Sequence, residues 1–380
     1  MSRRPSPGNV RRAAGRLVLL AALIGHLTAV AATDPDAIRS TFPYTFNEVA
    51  DRIVIINCTT FSGDRCSGSG FIANMDGKTY LITNQHVILG SPEIEFKTAS
   101  GETLHPRGVE LSATRDIARL LLDDHDGFKV SATPALGMPV AIFGNSEGGG
   151  VATELYGEVT GVTADLVEVS ADFVSGNSGS PVLNMDREVI GIASYVTFVS
   201  TDESDSDADG KEEVRRFCYR LTNVGWTPVN WKKYNEDYGR TYLETEAVVN
   251  SIFEVVMGWG DDPYGYVSND YRDYDLKKWA KDHNSMVDKI VRLSDKGSAT
   301  QKELDNINKQ IRNGIGDSAE ALAEFCGRKS RQMELKLSKR DLTGFLEEEF
   351  ASYVDALAWA SSAIEEFGEE LSGLNYFHFE

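Results

Sequence analysis

Between about residues 45 and 222 the apolar residues come in short β-branched or aromatic runs. They are Arg52-Ile-Val-Ile-Ile-Asn57, Gly70-Phe-Ile-Ala73, Thr79-Tyr-Leu-Ile-Thr83, Ala118-Arg-Leu-Leu-Leu122, Pro139-Val-Ala-Ile-Phe143, Leu166-Val-Glu-Val-Ser170, Pro181-Val-Leu183 and Val189 to Val196. A last strand is expected at about 217–222, ahead of Trp226 and Trp231. Asp76-Gly77 between two runs is a hairpin signal. Many short strands joined by glycine-rich turns predict a sandwich or barrel. Beyond about 236 the spacing changes to threes and fours: Leu243, Ala247, Val248, Ile252, Val255, then Leu304, Ile307, Ile311, Ile315, then Leu322, Phe325, Lys329. A stretch from Asp341 to Phe367 is rich in Glu, Ala and Leu. This is helical periodicity. Residues 259–274 read as a linker or capping loop, and no internal repeat is evident.

The first 32 residues stand apart. They hold Arg3, Arg4, Arg11, Arg12 and Arg16, no acid, and an apolar stretch from Leu17 to Ala32 ending in Ala29-Val30-Ala31. Basic start, short apolar stretch and small-x-small end make up a secretory signal peptide. The 16-residue stretch, with Gly25 and His26 inside it, is short for a membrane anchor. Its removal would change the formal charge from −20 to −25, with 33 basic residues against 58 acidic. So acidic a chain lacks the basic face that nucleic acid requires. No run of 18 apolar residues occurs, which excludes a polytopic membrane protein. Four cysteines in 380 residues are too few for a disulfide-built scaffold.

Three motifs carry chemistry. Leu81-Ile-Thr-Asn-Gln-His86-Val87 ends a strand in a histidine, Thr114-Arg-Asp116-Ile-Ala118 starts a strand with an aspartate, and Gly176-Asn177-Ser178-Gly179-Ser180-Pro181 holds a serine in a glycine-rich turn. A serine hydroxyl needs a base to become a nucleophile. Histidine is that base near neutral pH, and a buried carboxylate fixes its tautomer. Glycine beside the serine lets backbone N–H groups face a developing oxyanion. A second tripeptide, Gly144-Asn145-Ser146, lacks the following Gly-Ser-Pro and reads as a plain turn. His105, His125, His283 and His378 lie in polar contexts and are read as structural.

In this order and spacing the motifs resemble the trypsin-like, chymotrypsin-fold serine peptidases, particularly the compact bacterial Deg-type core. Gly68-Ser-Gly-Phe-Ile72, Val140 to Asn145, Gly157-Glu-Val-Thr160 and Val189-Ile-Gly-Ile-Ala-Ser194 are similar to that group's flanking strands. The likeness spans about residues 45–225. It implies a mainly β fold of two antiparallel six-stranded barrels in residues 33–235, followed here by an α-helical region in 236–380. It also implies His86, Asp116 and Ser178 as catalytic triad, Gly176 and Ser178 as oxyanion hole, and a primary pocket lined by the strand ending at Ser194. Asp172, six residues before Ser178, falls where an acid forms the pocket base and selects Arg or Lys; the alternative is an exposed Asp172 beside a shifted pocket. The chain departs from the pattern at Ser180, where glycine is usual. It departs again in the acidic loop 201–213, in the absence of a PDZ-like segment, and in the unmatched helical tail.

Cys58 and Cys66 flank a Gly-Asp turn and are expected to close a hairpin disulfide, though four cysteines allow three pairings. Asp205-Ser-Asp207-Ala-Asp209-Gly210 opens like a calcium loop, but position twelve would be Arg216 instead of Glu; a solvated acidic loop and no metal site are expected, with calcium binding by the loop as the alternative. The expectation is an exported serine endopeptidase, secreted or periplasmic, acting on polypeptides without a cofactor. It binds no nucleic acid, has no stable membrane insertion after cleavage, and has the helical tail as a surface for packing or self-association. The competing reading is an inactive protease-fold scaffold acting through its tail.

Overall fold

The computed structural model describes residues 34–372, apart from 124, 132, 201–211, 262–264, 295–299 and 339–341. The expected signal peptide and most of the acidic loop, including the calcium-like stretch 205–210, lie outside the described residues. The chain divides into two compact units. One holds the described residues up to Thr241 together with Thr343–Phe345, and the other holds Tyr242–Leu342 and the residues from Leu346 onward.

The first unit is mainly β. Its first sheet comprises β1 (Ile53–Thr59), β2 (Arg65–Met75), β3 (Lys78–Thr83), β4 (Glu93–Thr98), β5 (Thr103–Leu104), β6 (Arg107–Ser112), β7 (Ala118–Leu122), β8 (Phe128–Lys129) and β15 (Trp226–Val229). The path runs β15-β6-β7-β3-β2-β1-β4-β5, with β8 added parallel to β2. Asp76 and Gly77 both take positive φ, 53° and 73°, as the two-residue turn between β2 and β3 requires. Six further strands close into a barrel in the order β10-β11-β14-β13-β12-β9. They are β9 (Pro139–Gly144), β10 (Thr153–Val162), β11 (Leu166–Val169), β12 (Pro181–Leu183), β13 (Val189–Ser200) and β14 (Glu212–Tyr219).

The expectation of two closed six-stranded barrels is therefore corrected: one barrel closes, and its companion is an open nine-stranded sheet. The reason lies at β6. One edge of β6 pairs with β7, and the other is taken by β15, with Trp226 opposite Ser112 and Val229 opposite Val109. No edge remains for the two-residue β5 to close upon.

Strand β9 shows why its run reads as continuously apolar. Val140 and Ile142 belong to the barrel interior with Val159, Val167, Val182 and Ile190. Ala141 and Phe143 point the other way, into a core shared with Ile53, Phe71 and Ile82 of the open sheet. Both faces are buried, so no polar alternation survives. Each fully buried side chain of this size contributes roughly 1.5–3 kcal/mol.

Short helices α1 (Pro35–Arg39), α2 (Gln85–Ile88) and α3 (Trp231–Tyr234) also occur. The second unit is built from α4 (Arg240–Asp261), α5 (Tyr274–Ser294), α6 (Gln301–Leu337) and α7 (Gly344–Ser372). Ile290 of α5 packs with Ile307, Ile311 and Ile315 of α6, and Phe367 of α7 leans on the cluster. Phe253 stacks on Trp359 with ring centroids 5.8 Å apart. Thr300 and Glu303 form a reciprocal capping box at the start of α6. No helix among the described residues is long and apolar enough to cross a membrane.

The four cysteines are free thiols, so the expected Cys58–Cys66 disulfide is absent. The two residues do face each other across β1 and β2. The hairpin closes with the Thr60 N–H donating to the Asp64 carbonyl. Alternation then makes Cys58–Cys66 a hydrogen-bonded pair, where opposed side chains stand further apart than at the intervening pairs. The Cys58 Sγ lies 3.3 Å from the Val87 carbonyl, and the Cys66 Sγ lies 3.6 Å from the Ser91 Oγ.

Candidate active site

His86 sits in α2, the single helical turn after β3. Asp116 lies in the turn between β6 and β7, and β7 pairs with β3, so the ladder brings the two together. The Asp116 Oδ2 lies 2.5 Å from the His86 Nδ1, and its Oδ1 accepts the His86 backbone N–H at 3.0 Å. The Asp116 side chain is 8% exposed and the His86 side chain 29%. A buried carboxylate bonded to Nδ1 leaves Nε2 as the ring atom able to take a proton from a nucleophile.

Neighbours of both residues hold this pair. The Asn84 Nδ2 donates to the Asp116 carbonyl at 2.6 Å and to the Ser194 Oγ at 3.0 Å. The Gln85 Nε2 donates to the carbonyls of Ser112 and Arg115, and the Gln85 Oε1 accepts from the Thr343 hydroxyl. The Arg115 guanidinium donates to the carbonyls of Arg220 and Thr222, anchoring the residue before Asp116.

Ser178 is half-buried in the turn between β11 and β12. Its carbonyl accepts the Ser69 N–H at 2.9 Å, and the Ser69 carbonyl accepts the Thr83 hydroxyl at 2.8 Å. Gly179 donates its N–H to the Ala193 carbonyl at 2.9 Å. The serine turn is thus tied to Thr83, at the end of the strand leading into His86, and to Ala193, next to Ser194. Gly179 has φ +91°, and a Cβ there would lie 1.9 Å from the Ser69 oxygen. The sequence motif needs glycine at this position for both reasons.

Hydrogen bonding around the turn leaves two donors unused. The Asn177 carbonyl accepts the Ser180 N–H, and the Ser175 carbonyl accepts the Glu147 N–H. In a trans peptide C=O and N–H point in opposite directions. The N–H groups of Ser178 and Gly176 are therefore turned away from those partners, and neither donates to any group among the described residues. A cleft of about 900 Å³ runs from Arg65 and Glu93 past Cys66 to Ser175 and Gly176.

Residues 68–192 match a family whose description is "Trypsin-like peptidase domain". This chain carries a trypsin-like peptidase domain. Its relatives include a "Probable periplasmic serine endoprotease DegP-like" of Halomonas elongata, 31% identical over 143 residues, 35% of this chain and 30% of that protein. The "Serine protease Do-like HtrA" of Bacillus subtilis is 30% identical over 213 residues, 50% of this chain and 46% of that protein. The chain spans less than half the length of both. Among solved structures, an M. tuberculosis protease in its active form is 18% identical, with a TM-score of 0.39, covering 53% of this chain and 90% of that one.

The surroundings of Asp172 differ from the pocket floor that the family likeness implies. The Asp172 side chain is 77% exposed, and its carboxylate lies 3.1 Å from the Arg216 guanidinium. Arg216 also donates through Nε to the Phe173 carbonyl at 3.0 Å. Asp172 therefore faces an internal cation at the surface, and the desolvated pocket floor that would select basic residues is not what surrounds it. Ser194 is buried, its hydroxyl accepting from the Asn84 amide, which also donates to the Asp116 carbonyl, and donating to the Ile192 carbonyl.

Ser69, Asn84 and Asn145 hold the site together, though the motifs that contain them gave them no role. The Ser69 hydroxyl donates to the Gly176 carbonyl and accepts from the Asn145 N–H, each at 2.8 Å. The signal in the sequence was the Gly144-Asn145-Ser146 tripeptide, which is a turn but one bonded directly to the serine loop. Among the described residues no group of three or more His, Cys, Asp or Glu side chains is placed to hold a metal ion.

Proposed function

We propose that this chain is an exported serine endopeptidase that cleaves polypeptides through an acyl-enzyme. The observation that carries the reading is the double hold of Asp116 on His86, in a domain whose serine turn keeps two N–H donors without an acceptor among the described residues. Ser178 Oγ attacks the scissile carbonyl as His86 Nε2 takes its proton. The oxyanion accepts from the Gly176 and Ser178 N–H groups. The intermediate collapses, His86 returns the proton to the departing amine, and water repeats the cycle to release the acid. Asp116 keeps the ring oriented and stabilises the imidazolium. Export rests on the amino-terminal pattern and on relatives whose names call them periplasmic. The helical unit is a surface for self-association or partner docking in this reading.

Labelling with a fluorophosphonate, followed by peptide mapping, tests the proposal. A single adduct on Ser178, absent from Ser178→Ala, together with cleavage of an unfolded protein by the parent only, is the expected result. A folded parent that takes no label and cuts nothing would leave the scaffold reading.

A further inference from the structure

The turn Ser146–Gly148 after β9 contains a backbone anomaly. Glu147 has φ 56° and ψ 13°, the left-handed region, which side chains other than glycine's adopt uncommonly. In that conformation its N–H donates to the Ser175 carbonyl at 2.7 Å. The peptide whose carbonyl is held there is the one that supplies the Gly176 N–H. We infer that Glu147 is a positioning residue whose left-handed backbone holds the Ser175–Gly176 peptide in the orientation that presents the Gly176 N–H to an oxyanion. The inference rests on the peptidase reading for its consequence, and on the geometry of the turn for its content.

The surroundings give that peptide one supported orientation. Gly148 donates to the Asn145 carbonyl at 3.1 Å, and Gly150 donates to the Asn145 Oδ1 at 2.7 Å, so the turn is fastened on its own side chain. The Ser146 hydroxyl donates to the Asn177 Oδ1 at 3.0 Å, and the same oxygen accepts the Val174 N–H at 3.0 Å. Asn177 thus ties the serine loop to the turn beside Glu147's bond and braces the loop internally. Gly176 itself has φ +88°, and a Cβ on it would lie 2.2 Å from the Asn145 carbonyl oxygen and 2.6 Å from the Gly148 nitrogen. The two backbones pack too closely for the loop to shift as a body. Rotating the Ser175–Gly176 peptide by half a turn would remove the Ser175 oxygen from the Glu147 N–H and point the Gly176 N–H away from the reacting carbonyl. The Glu147 N–H is the donor that opposes that rotation.

The bond to Ser175 is made by the backbone at 147 and depends on its φ, not on the side chain. Glycine takes positive φ without penalty and keeps the N–H, whereas a β-branched residue there is strained. Glu147→Val should therefore lower kcat by roughly a hundredfold, the scale of one lost oxyanion donor. KM should stay within about twofold, and affinity for a peptide aldehyde, which forms the tetrahedral adduct, should fall in step with kcat. Glu147→Gly should keep kcat within about threefold of the parent. Amide hydrogen exchange on the whole protein reads the bond directly: the Glu147 N–H should be protected in the parent and in Glu147→Gly, with the protection lost in Glu147→Val. An unprotected Glu147 amide in the parent overturns the inference, as does a Val variant with undiminished kcat or a loss that appears in KM alone. A parent that neither labels with fluorophosphonate nor cleaves peptide, yet shows the protected amide, counts against the peptidase reading and leaves the positioning of the peptide supported.

Discussion

The Asp116 carboxylate grips His86 at two atoms, the ring Nδ1 at 2.5 Å and the residue's own backbone N–H at 3.0 Å. The second bond anchors the base of the side chain and the first sets the ring, so a single buried acid determines both where the imidazole stands and which nitrogen faces outward.

Asp116→Asn should therefore fold normally and fail chemically. The amide group can donate to Nδ1 and select the wrong tautomer. A loss of roughly ten-thousandfold in kcat is expected, with thermal stability close to the parent's. Single-turnover kinetics on a peptide ester would check it; a loss below tenfold would argue that His86 is not held through Asp116.

Gly179 offers a steric test of how the serine turn is built. Its φ of +91° and the 1.9 Å approach of a hypothetical Cβ to the Ser69 oxygen act together. Gly179→Ala should destabilise the domain by about 3 kcal/mol or more, from left-handed strain and forced displacement of the β2 backbone. Gly101 has φ +104° but open space around it. Gly101→Ala should cost only the strain, about 1–2 kcal/mol. Urea midpoints at constant slope compare the two; equal costs would mean that the serine turn yields freely.

What could be read in advance follows from how local each signal is. His86, Asp116 and Ser178 stand out because each sits in a short motif with glycine or a strand boundary beside it. The apolar runs at β1, β3, β7, β9 and β12 were legible because at least one face of each is buried. Strand β4, Glu93-Ile-Glu-Phe-Lys-Thr98, was not, since only Phe96 and Thr98 are buried and its outward residues are charged. Strand β15 was equally hidden: Pro228 sits within it, and only its distant partner β6 makes it a strand. The open sheet is a consequence of that return. Ser69 and Asn84 act through contacts 107 and 110 residues away in the chain, which no local pattern encodes. Glu147 contributes an N–H that every residue but proline possesses.

His283 is expected to make the helical unit acid-sensitive. It is 1% exposed, its Nε2 lies 3.1 Å from the Gly265 carbonyl, and its Nδ1 lies 2.9 Å from the Ser318 hydroxyl. A carbonyl only accepts, so Nε2 carries the proton and Nδ1 accepts from Ser318. Burial holds its pKa below the ordinary histidine value, partly offset by the bond to Gly265. The unfolded chain then binds a proton that the folded chain resists. The stabilisation is complete above the unfolded value of about 6.5 and is lost as pH falls toward the folded value. Unfolding followed by tryptophan fluorescence, with Trp279 stacked on the ring at 5.3 Å, should show a stability drop between pH 7.5 and 5 that is smaller in His283→Asn. Identical drops would remove His283 as the cause.

Cys66 is expected to be the reactive thiol. Its pKa is lowered to about 6, first by the Cys58 side chain facing it across the hairpin and then by the Ser91 hydroxyl 3.6 Å away, against the opposing effect of partial burial. Cys218 and Cys326 are buried and pushed upward by desolvation. The thiolate is the nucleophile, so alkylation of Cys66 should rise with pH to about 6 and then level off. Mass mapping after brief iodoacetamide treatment at neutral pH should find Cys66 modified first. A rate still climbing through pH 8.5 would show an ordinary thiol.

Specificity turns on Asp172 and its partner. An acid that selects Arg or Lys must be desolvated, so that an apolar side chain leaves it buried and unpaired at a cost of several kcal/mol. Asp172 is instead 77% exposed and already faces Arg216, whose side chain is 15% exposed and braced on the Phe173 carbonyl. Surface pairs of this kind are worth about 0–1 kcal/mol, and solvent screens the carboxylate from any incoming cation. The fixed charge beside it is positive, which disfavours a basic guest. The net acidity of the chain steers cationic substrates toward the protein at low salt but does not discriminate at the scissile bond. Cleavage profiling should accordingly show a preference for uncharged side chains before the scissile bond. Asp172→Ser should shift the ratio of kcat/KM for Arg over Leu substrates by less than about threefold, the scale of a screened surface pair. A parent that strongly prefers Arg or Lys, with the preference abolished in Asp172→Ser, would show that the carboxylate leaves Arg216 and enters the pocket when substrate binds.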